Sequence, residues 1–133
     1  MTLRQLLHWF RQIDAWLVVP AIIFVIWGEL THVNLAYDLE IDVWDKALHF
    51  TAYFGLALMA TIAVRGRRRA IWYALGLIAL GGILEILQGL TGRDADIWDE
   101  VANTLGVLAG AAIAWAGIAL LRARKLVEDK DAD

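Results

Sequence analysis

Side chains that a bilayer would reject recur in this chain at helical spacing, beside stretches that are otherwise apolar. Lys46, His49 and Tyr53 open one apolar segment, Glu85 and Gln88 close another, and Arg93, Asp96, Asp99 and Asn103 lead into a third. Residues three, four or seven apart stack on one helical face. Ionisable groups within membrane spans are costly and normally face a partner, so sets that converge define a candidate site. Two kinds of chemistry fit the residue types. His49 with Glu85 or Asp99 joins an imidazole to carboxylates and suits proton handling, which makes these three the candidate catalytic residues. Lys46 and Arg93 are cations, and a guanidinium holds phosphate or carboxylate through paired hydrogen bonds. Together with Tyr53, Gln88, Asp96 and Asn103 they form the candidate ligand-binding set.

Each of these residues also has a structural reading. Glu85-x-x-Gln88 most often supplies hydrogen bonds between helices, and Arg93 among Asp94, Asp96, Asp99 and Glu100 reads as a salt-bridged loop. Asp99 near a helix start caps it and suits its dipole. Asn103 is followed on the same face by Gly106, Gly110 and Ala114, and Gly-x-x-x-Gly is a close-packing motif, within one chain or between two. His8 and His32 have no partners at helical spacing and are assigned no role.

Several chemistries are excluded or not assigned. The chain contains no serine and no cysteine, which removes serine-nucleophile chemistry, disulfides and thiolate metal sites. His49 with Glu85, Asp96 and Asp99 offers nitrogen and oxygen ligands. No H-x-x-x-H or H-E-x-x-H spacing accompanies them, so neither a metal nor any other cofactor is assigned. No glycine loop of the phosphate-cradling kind is present, and nucleic acid is not an expected partner.

The elements that must position these residues are membrane helices. Of 133 residues, 60% are hydrophobic, and the mean hydropathy is +0.58. That composition predicts an all-α integral membrane bundle, one domain over residues 1–133. A span needs about 20 apolar residues. Four segments are predicted to cross: about 14–28, 46–64, 70–90 and 101–121. The first is short and carries Pro20, and the third spans only if Glu85 and Gln88 are accepted inside it. Glu85 lies about 22 Å along its helix from Ala70 at about 1.5 Å per residue, within the hydrocarbon. Leu3, Leu6, Leu7 and Phe10 alternate with Arg4, Gln5 and Arg11, which predicts a short amphipathic helix in the interface. The N-terminus has no small-residue cleavage site and is expected to be retained.

Charge sets the orientation. Except for Lys46 and Arg93, every Lys and Arg lies in the N-terminal arm, in the Arg65–Arg69 turn, or after Leu121. With four spans these regions share a side, which the positive-inside rule makes cytoplasmic, termini included. Trp16, Trp27, Trp72 and Trp98 fall near segment ends, where aromatic belts sit. The polar sets all then come to the outer face.

At these residues the chain resembles the VanZ-like family of small membrane proteins. The matching pattern is Asp45-Lys46-x-x-His49-Phe50-x-x-Tyr53, then Glu85-x-x-Gln88, Gly92-Arg93, Asp96, Asp99, Asn103 and Gly106. It covers about the middle half of the chain with order and spacing intact. The resemblance implies an envelope protein of a bacterial cytoplasmic (inner) membrane, in a family named for a member linked to low-level resistance to the glycopeptide teicoplanin. It supports the topology and the residue cluster more than any reaction.

The function expected is binding of an anionic envelope lipid or glycolipid, with chemical modification left open. The competing class is an accessory subunit of a larger membrane complex, in which the same residues fasten helices and lipid contact is incidental. Free transport is disfavoured, because four helices leave little room for a path.

Overall fold

Long apolar runs with few helix breakers, where backbone groups find partners only within the segment, fold here as helices. The computed structural model describes residues 3–30, 42–65, 68–91 and 95–130. Among them are four helices and no strand: α1 (Leu3–Leu30), α2 (Asp42–Ala63), α3 (Arg69–Leu90) and α4 (Ile97–Lys130). Three carry stretches long and apolar enough to cross a membrane, Asp45–Ala63, Arg69–Leu90 and Ile97–Arg124; α1 carries the shorter apolar stretch Trp16–Leu30.

The short N-terminal helix expected from the sequence is not a separate element. It runs unbroken into the first apolar segment as α1. No Gly, Pro or Asn lies between Leu3 and Val19, so nothing in the sequence stops a helix there, and Asp14 does not interrupt it. Pro20 sits inside α1 without ending it. The helices also overrun the predicted spans, because α2 starts at Asp42 and α4 at Ile97 while their first turns are polar.

α2 and α4 run in the same direction and make the closest contact in the bundle. Gly106 and Gly110 of α4 are the cause: a Cβ on either would strike the α2 backbone, at the Phe50 carbonyl and the Phe54 carbonyl respectively. Small residues let helix backbones approach in this way. Buried Asp99, Asn103, Gly106, Val107, Gly110 and Ala114 form the inner face of α4. The inner face of α2 is His49, Tyr53, Leu56, Ala57 and Ala60. Tyr53, Leu56, Ala57, Leu77 and Val107 form the apolar core, with Ala21, Ile22 and Val25 of α1 and Ala74, Ile78 and Leu80 of α3 packed against it. Trp16, Trp27, Trp72 and Trp98 point outward, as expected of belt residues.

The helix ends separate two kinds of chemistry. At one end α2 stops at Ala63, and Arg65 takes a left-handed backbone with φ of 57°. The Arg65 carbonyl accepts a hydrogen bond of 2.8 Å from Arg122 Nη2 of α4. Arg68, Arg69 and Arg124 are exposed at this same end. Lys46, His49, Tyr53, Glu85, Gln88, Asp96, Asp99 and Asn103 lie at the other.

Candidate functional site

Asp96 starts α4. Its Oδ1 accepts the Trp98 N–H at 2.9 Å and its carbonyl accepts the Asp99 N–H at 2.9 Å, the geometry of an N-cap. The capping role therefore falls to Asp96, and Asp99 points inward, buried. Asp96 Oδ2 accepts a hydrogen bond of 2.9 Å from Lys46 Nζ, which also stands 3.7 Å from Asp99 Oδ1. The Trp98 N–H first, and then the Lys46 ammonium, hold the Asp96 carboxyl below its ordinary value.

His49, one turn along α2 from Lys46, is 7% exposed. Its Nδ1 lies 3.1 Å from Asn103 Oδ1, a fully buried partner on α4. The Asn103 amide is oriented in turn, because its Nδ2 donates to Glu100 Oε2 at 3.4 Å. Glu100 Oε1 also accepts from Thr104 Oγ1 at 3.3 Å. With the amide oxygen facing His49, Nδ1 carries the proton and Nε2 faces the other way. There it meets two carboxylates, Asp99 Oδ2 at 3.8 Å and Asp45 Oδ1 at 4.0 Å. Glu29 Oε1 lies 3.7 Å from Nδ1.

The third and first helices close the group. Buried Glu85 of α3 accepts the Asp96 N–H on Oε2 at 3.2 Å, while its Oε1 is buried without a hydrogen-bond partner. Gln88, one turn on, donates to the Glu29 carbonyl of α1 at 2.9 Å. The Tyr53 hydroxyl is fully buried, with the Glu29 carboxylate of α1 as its neighbour. Gly81 of α3 makes room for this layer, since a Cβ there would collide with the Glu100 carboxylate.

Of the residues singled out in the sequence, Lys46, His49, Tyr53, Glu85, Gln88, Asp96, Asp99 and Asn103 come together at one end of the bundle. Arg93 lies outside the described residues, as does His32. Exposed His8 sits in the N-terminal part of α1, away from the group. Gly106 and Gly110 pack within the one chain.

Three members of the group were missed as sites in the sequence: Glu29, Asp45 and Glu100. Glu29 closes an apolar segment as Glu85 does, and that position is the signal by which it could have been found. Asp45 lies four residues before His49 and Glu100 three before Asn103, spacings that share a face. With these included, Glu29, Asp45, Glu85, Asp96, Asp99 and Glu100 stand against Lys46 and His49, so the described part of the site is rich in negative charge.

A family model described as VanZ/LLP1 matches residues 2–122. No curated protein and no solved structure matches the chain.

Proposed function

The chain belongs to the VanZ/LLP1 family of membrane proteins, and from that premise we propose that it binds the headgroup of an anionic envelope lipid or glycolipid at the outer end of its bundle. In this reading all four helices cross a bacterial cytoplasmic membrane. The 28 residues of α1 reach about 42 Å, enough to span although their apolar part is shorter. The arginine-bearing end then faces the cytoplasm, termini included, under the positive-inside rule.

One observation supports the reading: four helices with apolar outer faces bring hydrophilic side chains to a single end of the bundle. A ligand that reaches them is amphiphilic, with tails along the exposed faces and a charged head at the cluster. Lys46, with Arg93 on the adjoining connection, would hold the anionic group. His49, flanked by carboxylates, is the residue that would move a proton if a bond is also changed. Changed glycopeptide susceptibility of the host is the phenotype that accompanies this reading.

A second reading has its own support. Lys46–Asp96, Gln88–Glu29 and Asp96–Glu85 each join different parts of the bundle, as a network that only fastens helices inside a larger complex would. Thermal unfolding of the purified chain in nanodiscs separates the two. Phosphatidylglycerol discs should raise Tm over phosphatidylcholine discs, and Arg93→Ala and His49→Ala should fold normally while losing that difference. Variants that unfold at lower temperature in both lipids, with no lipid-dependent difference in the parent protein, would establish the fastening reading instead.

A further inference from the structure

We propose that Asp45, His49 and Asp99 form a binding site for a divalent first-row transition cation, Zn²⁺ or Mn²⁺. This goes beyond the lipid reading and does not rest on it. One ligand atom from each residue lies within 4.8 Å of the other two. His49 Nε2 is 3.8 Å from Asp99 Oδ2 and 4.0 Å from Asp45 Oδ1. Ligands bound about 2.1 Å from a tetrahedral ion stand roughly 3.4 Å apart, so the closure required is small. Asp45 is the most exposed of the three and has the freedom to supply it.

Two further observations point to a ligand. The first is the second layer around His49. Glu100 orients the Asn103 amide, Asn103 accepts the proton of Nδ1, and the lone pair of Nε2 is thereby directed at the two carboxylates. Metal-bound histidines are held through their remote nitrogen in this manner. The second is Asp99. It is 6% exposed, and its Oδ1 is buried without a hydrogen bond, with Lys46 Nζ at 3.7 Å. Lys46 already has a 2.9 Å partner in Asp96, so a cation arriving at Asp99 would leave that bond intact.

The donor set narrows the ion. One imidazole and two carboxylates disfavour Ca²⁺ and Mg²⁺, which take oxygen ligands, and Cu⁺, which takes sulfur. Three protein ligands leave positions for water or for a headgroup oxygen.

The full chain, purified in detergent with its affinity tag removed and stripped with EDTA, would be titrated with ZnCl₂ and with MnCl₂. Bound metal is counted by mass spectrometry, and Tm is followed in parallel. One equivalent per chain and a raised Tm are expected with at least one of the ions. Asp45→Asn and Asp99→Asn should each weaken binding at least tenfold, and His8→Ala should leave it unchanged. Lys46→Met should tighten it several-fold by removing a competing charge, a gain that damage to the fold would not produce. If His49→Ala fails to insert, the isosteric Asp45→Asn at a partly exposed position still decides the matter. The site is overturned if the parent protein takes up neither ion, or if Asp45→Asn and Asp99→Asn bind as the parent does. Metal is counted without lipid and the lipid effect is measured in EDTA, so the two proposals fail separately.

Discussion

Asn103 shows how single residues organise the charged end of the bundle. It is fully buried, its oxygen faces His49 and its nitrogen faces Glu100, so one amide decides which imidazole nitrogen is left to act. Tyr53 is fully buried too, and its hydroxyl neighbours the Glu29 carboxylate of α1. An unsatisfied buried polar group costs about 1–3 kcal/mol. Tyr53→Phe removes a donor from beside the Glu29 carboxylate and should lower Tm in detergent, and an unchanged Tm would mean that the hydroxyl holds nothing there. Asp96 sets the response to acid. Trp98 N–H and Lys46 favour its charged form, His49 adds to this, and Glu85 binds its backbone from α3. Because folding lowers its value, the stability it contributes is complete above the ordinary 3.8 and is lost as pH falls through the lower folded value. Thermal unfolding should show less loss on acidification in Asp96→Asn than in the parent, since Asn still caps α4 but no longer titrates. Equal acid sensitivity in both proteins would remove Asp96 from that role. At this scale the sequence was legible where polar residues repeat along one helix: His49 with Tyr53, Glu85 with Gln88, Asp99 with Asn103. It was less legible for Glu29, whose partners lie on α2 and α3 and have no spacing rule in common with it.

At the scale of the helices, the small and polar residues on the inner face of α4 could be read from Asp99 through Asn103, Gly106 and Gly110 to Ala114, because their period is helical, whereas core Val107 looks like any other apolar residue of the span. Which helix those glycines meet could not, since a close-packing motif does not name its partner. The structure gives it as α2, with Phe50 and Phe54 carbonyls against the two glycines. Overpacking such a contact costs about 1–3 kcal/mol. Gly106→Ala should lower stability by that amount, whereas Gly76→Ala, which meets nothing within 4 Å, should not. Equal effects on Tm at the two positions would show that α2 and α4 are not in backbone contact. Helix boundaries were the least legible feature: α1 absorbs the expected interfacial helix because the stops that would divide them are missing.

Among the described residues, Arg65, Arg68, Arg69, Arg122 and Arg124 stand at one end of the molecule and the acid-rich group with Lys46 at the other, a division that positional charge alone had foretold. Its membrane orientation can be tested cleanly, because the chain has no cysteine of its own. Trp98→Cys, exposed near the acid-rich end, should react with an impermeant maleimide added to intact cells. Arg124→Cys should react only after lysis, and the reverse pattern would invert the proposed topology. The two glycine seats also bear on how that end stays assembled. Phe50 and Phe54 are spaced four apart, as are Gly106 and Gly110, so the two seats lie one turn apart and engage together. Sliding α4 by a turn, about 5.4 Å, would put Gly110 opposite Phe50, bring His49 level with Val107 instead of Asn103, and press the Ala114 methyl on the Phe54 carbonyl. The glycine seats and the polar layer therefore select one register together, so the residues that give the site its chemistry also act as a detent that keeps the helices in gear.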